Sequence, residues 1–196
     1  MAARNRLQTE QRILDAVAGI LLQQGYPMVG INEVARQAGC DKVLIYRYFG
    51  GLDELLLAFA ETTPLWWEVD EIITEQAADV AKIALPDYLE TLLNRYVEVL
   101  ESRPLALEIM AWEMSEQNGL TRALARIRSE RGMELVKRIR QFYAQPNIDI
   151  GGILGVFGAA INYLVIRTRK QSQQYKTEEW WRLQQTIRRL LQTHAD

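Results

Sequence analysis

The chain has 196 residues, of which 48% are hydrophobic and 24% are charged, and its formal net charge is −2. This length and apolar content suit one small domain and one larger domain. A single cysteine excludes a disulfide framework within the chain, and with a single histidine the sequence offers no recognisable zinc site or catalytic triad of those residue types. Only 5 Pro and 12 Gly, with few alternating β-branched runs, predict an all-α fold.

An amphipathic helix is predicted near the N-terminus, from an N-cap at Thr9 to Gly25. Its inner face carries four aliphatic residues at helical spacing: Ile13, Val17, Ile20 and Leu21. A basic arm containing Arg4 and Arg6 precedes the helix, and the first fifty residues hold six Lys or Arg against four Asp or Glu. Such arms can reach along a DNA backbone or into a minor groove, whereas the first residues of a chain are by default solvated. Both interpretations of the arm stay open.

Two short helices joined by a glycine turn are predicted over residues 31–48. The first, over residues 31–38, has an apolar stripe at helical spacing: Ile31, Val34, Ala35 and Ala38. Gly39 follows it at the position where a chain leaving a helix commonly needs a positive φ. Asp41 is expected to cap a second helix over residues 42–48, because its carboxylate can accept hydrogen bonds from free backbone amides. Two helices of about two turns joined in this way form a helix-turn-helix.

The second of these helices is short enough to enter a DNA major groove, where base edges are distinguishable. Lys42 can neutralise a phosphate, and the hydroxyls of Tyr46 and Tyr48 can donate hydrogen bonds to the DNA backbone. The residues expected to bind DNA are Lys42, Val43, Leu44, Tyr46, Arg47 and Tyr48 on this helix, and Arg4 and Arg6 on the arm. Aromatic residues at helical spacing also complete small cores, so core packing of the two tyrosines is the alternative.

The string AxxAGxxKxxIYRYF, which ends at Phe49, and the Leu55-Leu56 pair beyond it resemble the TetR/AcrR family of bacterial transcriptional regulators. The resemblance is strong over residues 9–60. It implies a three-helix DNA-binding domain over residues 1–50 and a larger helical domain for effector binding and dimerisation over residues 51–196.

Three residues depart from the usual pattern of that family. Val43 stands where a glycine is common near the start of the recognition helix, which changes the surface offered to the bases. Gly30 replaces a threonine that often caps the preceding helix and touches a phosphate, and Leu52 replaces a lysine that is a common phosphate contact. These departures predict a weaker DNA site, or one that relies more on the N-terminal arm.

Four helices are predicted in the middle of the chain, over residues 53–60, 86–100, 105–116 and 120–143. Large aromatic and methionine side chains are frequent there, and they suit either a packed core or the wall of an apolar ligand pocket. The family resemblance favours the pocket, because the regulatory domain of that family generally holds a small molecule. The candidate ligand-binding residues are Trp66, Trp67, Tyr96, Met110, Trp112, Met114 and Phe142.

Residues 150–166 form an uncharged stretch of 17 residues between Asp149 and Arg167. A membrane span is one interpretation, but the stretch is slightly short and contains four glycines. We expect instead a helix that is buried on most sides, in a protein with no membrane partner. A last amphipathic helix is predicted from an N-cap at Thr177 to His194.

These two C-terminal helices resemble the pair that forms a four-helix bundle between subunits in the TetR/AcrR family. The candidate dimer contacts are Ile153, Val156, Phe157, Ala160, Trp180, Leu183, Ile187 and Leu190. Two recognition helices about 34 Å apart would read two half-sites one helical turn apart. Packing within one chain is the alternative for individual residues of this set.

The functional hypothesis is a cytoplasmic, ligand-responsive transcriptional regulator. The resemblance implies a repressor that binds double-stranded operator DNA with a palindromic sequence as a homodimer, and that an unidentified small-molecule effector releases. No cofactor and no metal are expected, and the sequence offers no catalytic site, so the protein is predicted not to be an enzyme. The alternatives are a DNA-binding protein without an effector and a soluble helical interaction module.

Overall fold

The computed structural model describes residues 2–143, 148–170 and 173–192, although the side chains of residues 2–4, 173–177 and 191–192 lie outside the description. Within these ranges the chain is helical and contains no β-strand, which confirms the predicted all-α fold.

The described helices follow one another with short connections. They are α1 (Ala2–Gln23), α2 (Ile31–Ala38), α3 (Lys42–Phe49), α4 (Leu52–Thr62), α5 (Val69–Ile72), α6 (Ala77–Val80), α7 (Leu85–Glu101), α8 (Pro104–Glu113), α9 (Gly119–Phe142), α10 (Ile150–Thr168) and α11 (Gln173–Gln192). A single 3₁₀ turn, Tyr26–Met28, links α1 to α2.

The chain divides into two compact units. The first unit comprises residues 1–66 and 104–127, and the second comprises residues 67–103 and 128–196. The predicted domain boundary at residue 50 therefore stays a prediction, since the first unit also includes α4, α8 and the beginning of α9.

The first unit is built around α1, which contacts α2, α4 and α8. All four aliphatic residues predicted for its inner face are fully buried. Val34 of α2 and Ile45 of α3 are also fully buried, and α4 adds Leu55 and Phe59. Burying this many aliphatic side chains holds the short helices α2 and α3, which would be marginal in isolation.

The second unit is built around α7, which contacts α5, α10 and α11. The inner face of α7 is almost wholly apolar, and Leu89 and Leu92 are fully buried. Arg95 on the same helix pairs with Glu75 and also donates a hydrogen bond of 3.0 Å to the carbonyl of Ile72. This ion pair ties the irregular segment around α5 to α7.

The start of α1 corrects the prediction for the N-terminus. Thr9 is not an N-cap: it lies inside the helix, where its hydroxyl donates to the carbonyl of Asn5 at 2.9 Å. Arg6 and Glu10 form an ion pair one turn apart, which supports the extra helical turns. The predicted arm is therefore part of α1, because its residues have good helical propensity and continue the helix without a break.

Other helix ends differ from the sequence predictions by a few residues. α8 ends at Glu113 rather than at residue 116, and α11 begins at Gln173, so Thr177 lies inside the helix and is not its N-cap. The short helices α5 and α6 were not predicted. α5 begins with a capping box between Glu68 and Glu71. A helix of four residues is too short to show an apolar periodicity in the sequence. The predicted end at His194 lies outside the described residues.

Helix α10 is long and apolar enough to cross a membrane by length and composition, which is weak support for a span when one such helix is present. The expectation that this helix is buried on most sides is wrong for the single chain, since only 22% of its most apolar window is buried. Its glycines leave little side chain to bury, and Val156 and Tyr163 on one side of the helix are more than half exposed.

Candidate nucleic-acid interface and ligand cavity

The turn between α2 and α3 has the geometry that its sequence predicts. Gly39 adopts φ 61° and ψ 42°, a left-handed conformation that costs a side-chain-bearing residue free energy. Asp41 then caps α3, because its carboxylate accepts a hydrogen bond of 2.8 Å from the amide of Val43. The turn thus fixes the direction of α3 relative to α2.

α3 has one fully buried side chain and a broad exposed surface. Ile45 faces the core of the first unit, and Phe49 is half-buried. Val43 and Tyr46, although large and hydrophobic, are 61% and 53% exposed. The exposed residues of this surface, called here the outer face of α3, are Lys42, Val43, Tyr46 and Arg47.

The outer face of α3 combines two cations with an aromatic hydroxyl and an aliphatic side chain. Residues three or four apart on a helix are neighbours, so Tyr46 lies beside both Lys42 and Val43. Packing in the core does not account for Tyr46 at this exposure. Leu44 and Tyr48, also predicted to bind DNA, are half-buried and flank the face.

Arg6 belongs to this surface through α1 and not through a free arm. Its guanidinium carbon lies 5.1 Å from the ring centroid of Tyr48, a cation–π contact, and its Nε donates to Glu10 at 2.7 Å. The hydrogen bond and the charge of Glu10 raise the pKa of Arg6, which therefore stays a cation. The side chain of Arg4 lies outside the described residues.

The two positions where this chain lacks the expected phosphate contacts differ in exposure. Gly30 is the residue before α2, with φ −156° and ψ 157°, and a Cβ there would meet no heavy atom within 4 Å. Leu52 is the first residue of α4 and is half-buried. The start of α2 therefore has no side-chain cap, and the start of α4 has no cation.

The N-terminal helices match known proteins in sequence. The family model described as "Bacterial regulatory proteins, tetR family" matches residues 13–59, which run from α1 into α4. A Mycobacterium tuberculosis protein, the uncharacterized HTH-type transcriptional regulator MT1294, is 35% identical over 71 residues, which are 35% of this chain and 35% of that protein. Residues 13–59 therefore resemble the regulatory proteins of the tetR family.

Two other matches extend over more of the chain. The Streptomyces coelicolor HTH-type transcriptional repressor SCO4008 is 28% identical over 116 residues, covering 59% of this chain and 55% of the repressor. The crystal structure of a putative TetR-family regulator from Rhodococcus sp. shares the fold with a TM-score of 0.60 and 20% identity, over 92% of this chain and 98% of that one. The chain spans only about a third to a half of the length of these curated relatives.

The relatives are transcriptional regulators, a class of protein that is not enzymatic, and the prediction of a non-enzyme is confirmed. In the part of the chain that the structure describes, no group of three or more His, Cys, Asp or Glu side chains could hold a metal ion.

The second unit contains a cavity of about 660 Å³. This volume lies in the range of small-molecule sites. Of the seven candidate ligand-binding residues, Trp67 and Tyr96 line it. The other lining residues come from α7, α9 and α10: Leu92, Leu93, Arg128, Ser129, Gly132, Met133, Leu135, Val136, Gly151, Leu154, Gly155, Gly158, Ala159 and Asn162.

The remaining five candidates for ligand binding lie elsewhere. Trp66 and Met110 are buried in the first unit, and Met114 is largely exposed. Trp112 stacks on Tyr26 with ring centroids 5.5 Å apart and an interplanar angle of 14°. These side chains pack or face solvent and do not line the cavity; Phe142 contacts the ring of Tyr88.

Tyr96 is the best-defined polar group of the cavity wall. Its hydroxyl donates a hydrogen bond of 2.6 Å to Oδ1 of Asn162, and its ring meets that of Trp67 edge-on at 5.7 Å. Burial raises the pKa of Tyr96 to about 12, although the hydrogen bond with Asn162 and the charge of Arg128 act in the opposite direction. The phenol is therefore neutral at physiological pH.

The sequence analysis missed the polar and small residues of this wall. Arg128 lies among other charged residues of α9, Asn162 is an isolated polar residue of α10, and nothing in the local sequence of either marks it as lining a cavity. The spacing of Gly151, Gly155 and Gly158 was a usable signal, because three small residues along one helix leave space beside it.

The candidate dimer contacts fall into three groups. Val156 is 69% exposed, and Leu190 is also exposed. Four are half-buried: Ile153, Ala160, Trp180 and Leu183. Phe157 and Ile187 are buried within the second unit, so the packing alternative describes these two residues better.

Proposed function

We propose that this protein is a cytoplasmic, DNA-binding transcriptional repressor that binds a palindromic operator as a homodimer and leaves it when a small-molecule effector occupies the cavity of the second unit. The outer face of α3 carries the proposal. This face places two cations, an aromatic hydroxyl and an exposed aliphatic side chain together on one capped helix, a combination that suits the binding of a nucleic acid.

DNA is the partner that this surface fits. A helix of eight residues, Lys42–Phe49, matches the recognition helices that enter the major groove. Lys42 and Arg47 supply charge for phosphates, the Tyr46 hydroxyl can donate to a backbone oxygen, and Val43 can contact a thymine methyl group. A chain of net charge −2 can do this because the cations are local.

Homodimerisation is supported by the exposed side of the C-terminal helices. Val156 and Tyr163, two turns apart on one side of α10, are both more than half exposed, and Leu190 of α11 lines the same apolar groove as Val156. Exposed apolar area of this kind marks interaction sites. A two-fold dimer would pair identical surfaces and present two copies of α3 to two half-sites.

The effector function is supported by the cavity. An effector can shift an equilibrium only by its difference in affinity between two states, so it must bind the DNA-incompetent state more tightly. A coupling of about 1–3 kcal/mol between the cavity and DNA would be ordinary for such a switch.

Selection on random DNA duplexes with the full chain tests the DNA-binding part of this proposal. The expected result is enrichment of an inverted repeat that the protein binds roughly a thousandfold or more tightly than a scrambled duplex at the same salt concentration. Binding of both duplexes with equal, strongly salt-dependent affinity would contradict it, because such affinity is non-specific.

Sedimentation analysis tests the dimer. A Val156→Arg substitution should convert the dimer to a monomer, since it buries a charge in the proposed interface. Lys137→Arg, at an exposed position on α9, serves as the control. A wild-type chain that sediments as a monomer at micromolar concentration would contradict homodimerisation.

A further inference from the structure

The cavity of the second unit offers little charge to a ligand. Among the sixteen lining residues that the structure describes there is no Asp, Glu, Lys or His, and Arg128 alone carries a formal charge. Arg128 already has an interaction partner within the chain, so its guanidinium is engaged before any ligand enters. Burial keeps Tyr96 a neutral phenol. A charged ligand would therefore leave water without gaining a dedicated counter-charge, which is strongly unfavourable.

Most of the cavity wall is apolar. Leu92 and Leu93 of α7 and Leu135 of α9 contribute aliphatic surface, Trp67 adds an aromatic ring, and Met133 adds a flexible thioether. Burying apolar area is the main source of affinity in pockets of this kind, so the wall suits a ligand with a hydrocarbon body.

Glycines create much of the space in the cavity. A Cβ built on Gly132 of α9, or on Gly155 or Gly158 of α10, would meet no heavy atom within 4 Å. All three residues line the cavity. Their missing side chains keep α9 and α10 from filling the volume between them, at some cost in helical propensity.

One hydrogen-bonded pair interrupts the apolar wall. Tyr96 of α7 donates a hydrogen bond of 2.6 Å to Oδ1 of Asn162 on α10, and both side chains line the cavity. This bond uses only the oxygen of the amide, so the amide nitrogen of Asn162 keeps its N–H groups for donation. An oxygen acceptor, such as a carbonyl group, is the ligand group that complements this nitrogen.

We propose that this cavity binds an uncharged, mainly apolar ligand that carries an oxygen acceptor, and that the amide of Asn162 donates a hydrogen bond to that oxygen. The inference deepens the effector part of the proposed function and rests on it only for the effect on DNA. The apolar wall supplies most of the affinity, and the amide fixes the orientation of the ligand.

Charged relatives of such a ligand are disfavoured for different reasons. An anionic group would have to compete with the existing partner of Arg128. A cationic group would lie in a wall that contains this guanidinium and no carboxylate among its described residues. The cavity thus selects by the absence of charge on the ligand as well as by its apolar surface.

Three probes with the same hydrocarbon chain and different heads test this selectivity: methyl octanoate, octanoate and octyltrimethylammonium. The first is an uncharged ester, the second is the corresponding anion, and the third is a cation. Calorimetric titration of the full chain without DNA, below the micellar concentration of each probe, should show the ester binding at least about tenfold more tightly than either ion.

An Asn162→Asp variant locates the hydrogen bond. It keeps the oxygen that accepts from Tyr96 and replaces the N–H donors with a second carboxylate oxygen, so the affinity for methyl octanoate should fall roughly tenfold. The affinity for octyltrimethylammonium should rise, because the wall gains a negative charge. Asn94→Asp is the matched control: it keeps the oxygen that accepts from Gln184, lies outside the cavity, and should change neither affinity.

A Gly158→Leu variant tests the location by filling the space. The leucine enters open volume and raises helical propensity, so helicity measured by circular dichroism should be retained while the affinity for methyl octanoate falls at least about tenfold. Ester binding that is unchanged in both Gly158→Leu and Asn162→Asp would show that the probe lies elsewhere and would overturn the proposal.

The proposal would also be overturned if octanoate or octyltrimethylammonium bound the unaltered chain as tightly as the ester, or if the ester did not bind. The failure of the proposed function is a separate result. Methyl octanoate that binds as described but leaves operator affinity unchanged contradicts the effector role and not the ligand chemistry.

Discussion

The outer face of α3 and the cavity of the second unit are built in opposite ways. The face lies on one helix of eight consecutive residues, and the glycine turn and aspartate cap of that helix are adjacent in sequence. The cavity combines Trp67 with residues of α7, α9 and α10 that are far apart in sequence. A site formed by one local segment needs only a scaffold to hold it, whereas a site formed by distant helices depends on how those helices pack.

The largest change in the free energy of unfolding is expected for a substitution on the buried side of α3, compared with one on its exposed side. Ile45→Ala removes a fully buried side chain and should destabilise the first unit by about 2–5 kcal/mol. Val43→Ala, two residues away but mostly exposed, should change the free energy of unfolding by no more than about 0.5 kcal/mol. Urea denaturation followed by circular dichroism measures both.

These two variants test whether the exposed face of α3 is separate from the core that holds the helix. Val43→Ala should weaken binding to the selected operator without loss of stability, and equal destabilisation by the two changes would show that Val43 is part of the core.

The next effect concerns the scaffold of the second unit. Arg95 hydrogen-bonds to Glu75 and holds the pKa of that carboxyl below its ordinary value of 4.5. Arg95→Met should destabilise the unit by roughly 1.5–3 kcal/mol at neutral pH, the usual contribution of a hydrogen bond to a charged group. Denaturation of the full chain at neutral pH, with Arg140→Met as the control, measures this loss.

The same ion pair predicts a pH dependence. Because the pKa of Glu75 is lower in the folded state, its stabilising contribution is present above the ordinary glutamate pKa and is lost as the pH falls through the folded value. The difference in stability between wild type and Arg95→Met should therefore shrink in acid. A constant difference between neutral pH and about pH 3 would contradict the role of Glu75.

Local signals explain which parts of this architecture the sequence could predict. The bounds of α2, the left-handed Gly39 and the Asp41 cap follow from residues within a few positions of one another, and all three predictions are confirmed. Thr9 shows the limit of such signals. It has the side chain of an N-cap, but the preceding residues are equally helical, and its hydroxyl bonds to the carbonyl of Asn5 instead.

The cavity shows the other limit. Composition indicated large aromatic and methionine side chains in the middle of the chain, but it could not distinguish Trp67, which lines the cavity, from Trp112, which stacks on Tyr26. Arg128 and Gly155 become part of a site only through the packing of α7, α9 and α10. Their roles depend on contacts between residues distant in sequence, which a periodicity analysis of one chain does not contain.

The smallest effects are expected from two substitutions that add DNA phosphate contacts that this chain lacks. Gly30→Thr adds a hydroxyl before α2 at a position with extended backbone and open space, and it should raise operator affinity by roughly three- to tenfold through one hydrogen bond. Leu52→Lys should steepen the salt dependence of binding by about one unit. Fluorescence anisotropy at several salt concentrations measures both.

Leu57→Lys is the matched control for Leu52→Lys, since it adds the same charge at an exposed position on α4. If it steepens the salt dependence equally, the gain comes from net charge and not from a contact at the start of α4.

The central claim, that DNA is read by the outer face of α3, is tested most directly by salt-titrated anisotropy with the selected operator. Lys42→Ala should weaken binding and lower the salt slope by about one, and Tyr46→Phe should weaken binding roughly three- to tenfold with an unchanged slope. Lys137→Ala, which removes a cation from an exposed position on α9, should match wild type. If Lys42→Ala and Tyr46→Phe also match wild type, the outer face of α3 does not contact DNA.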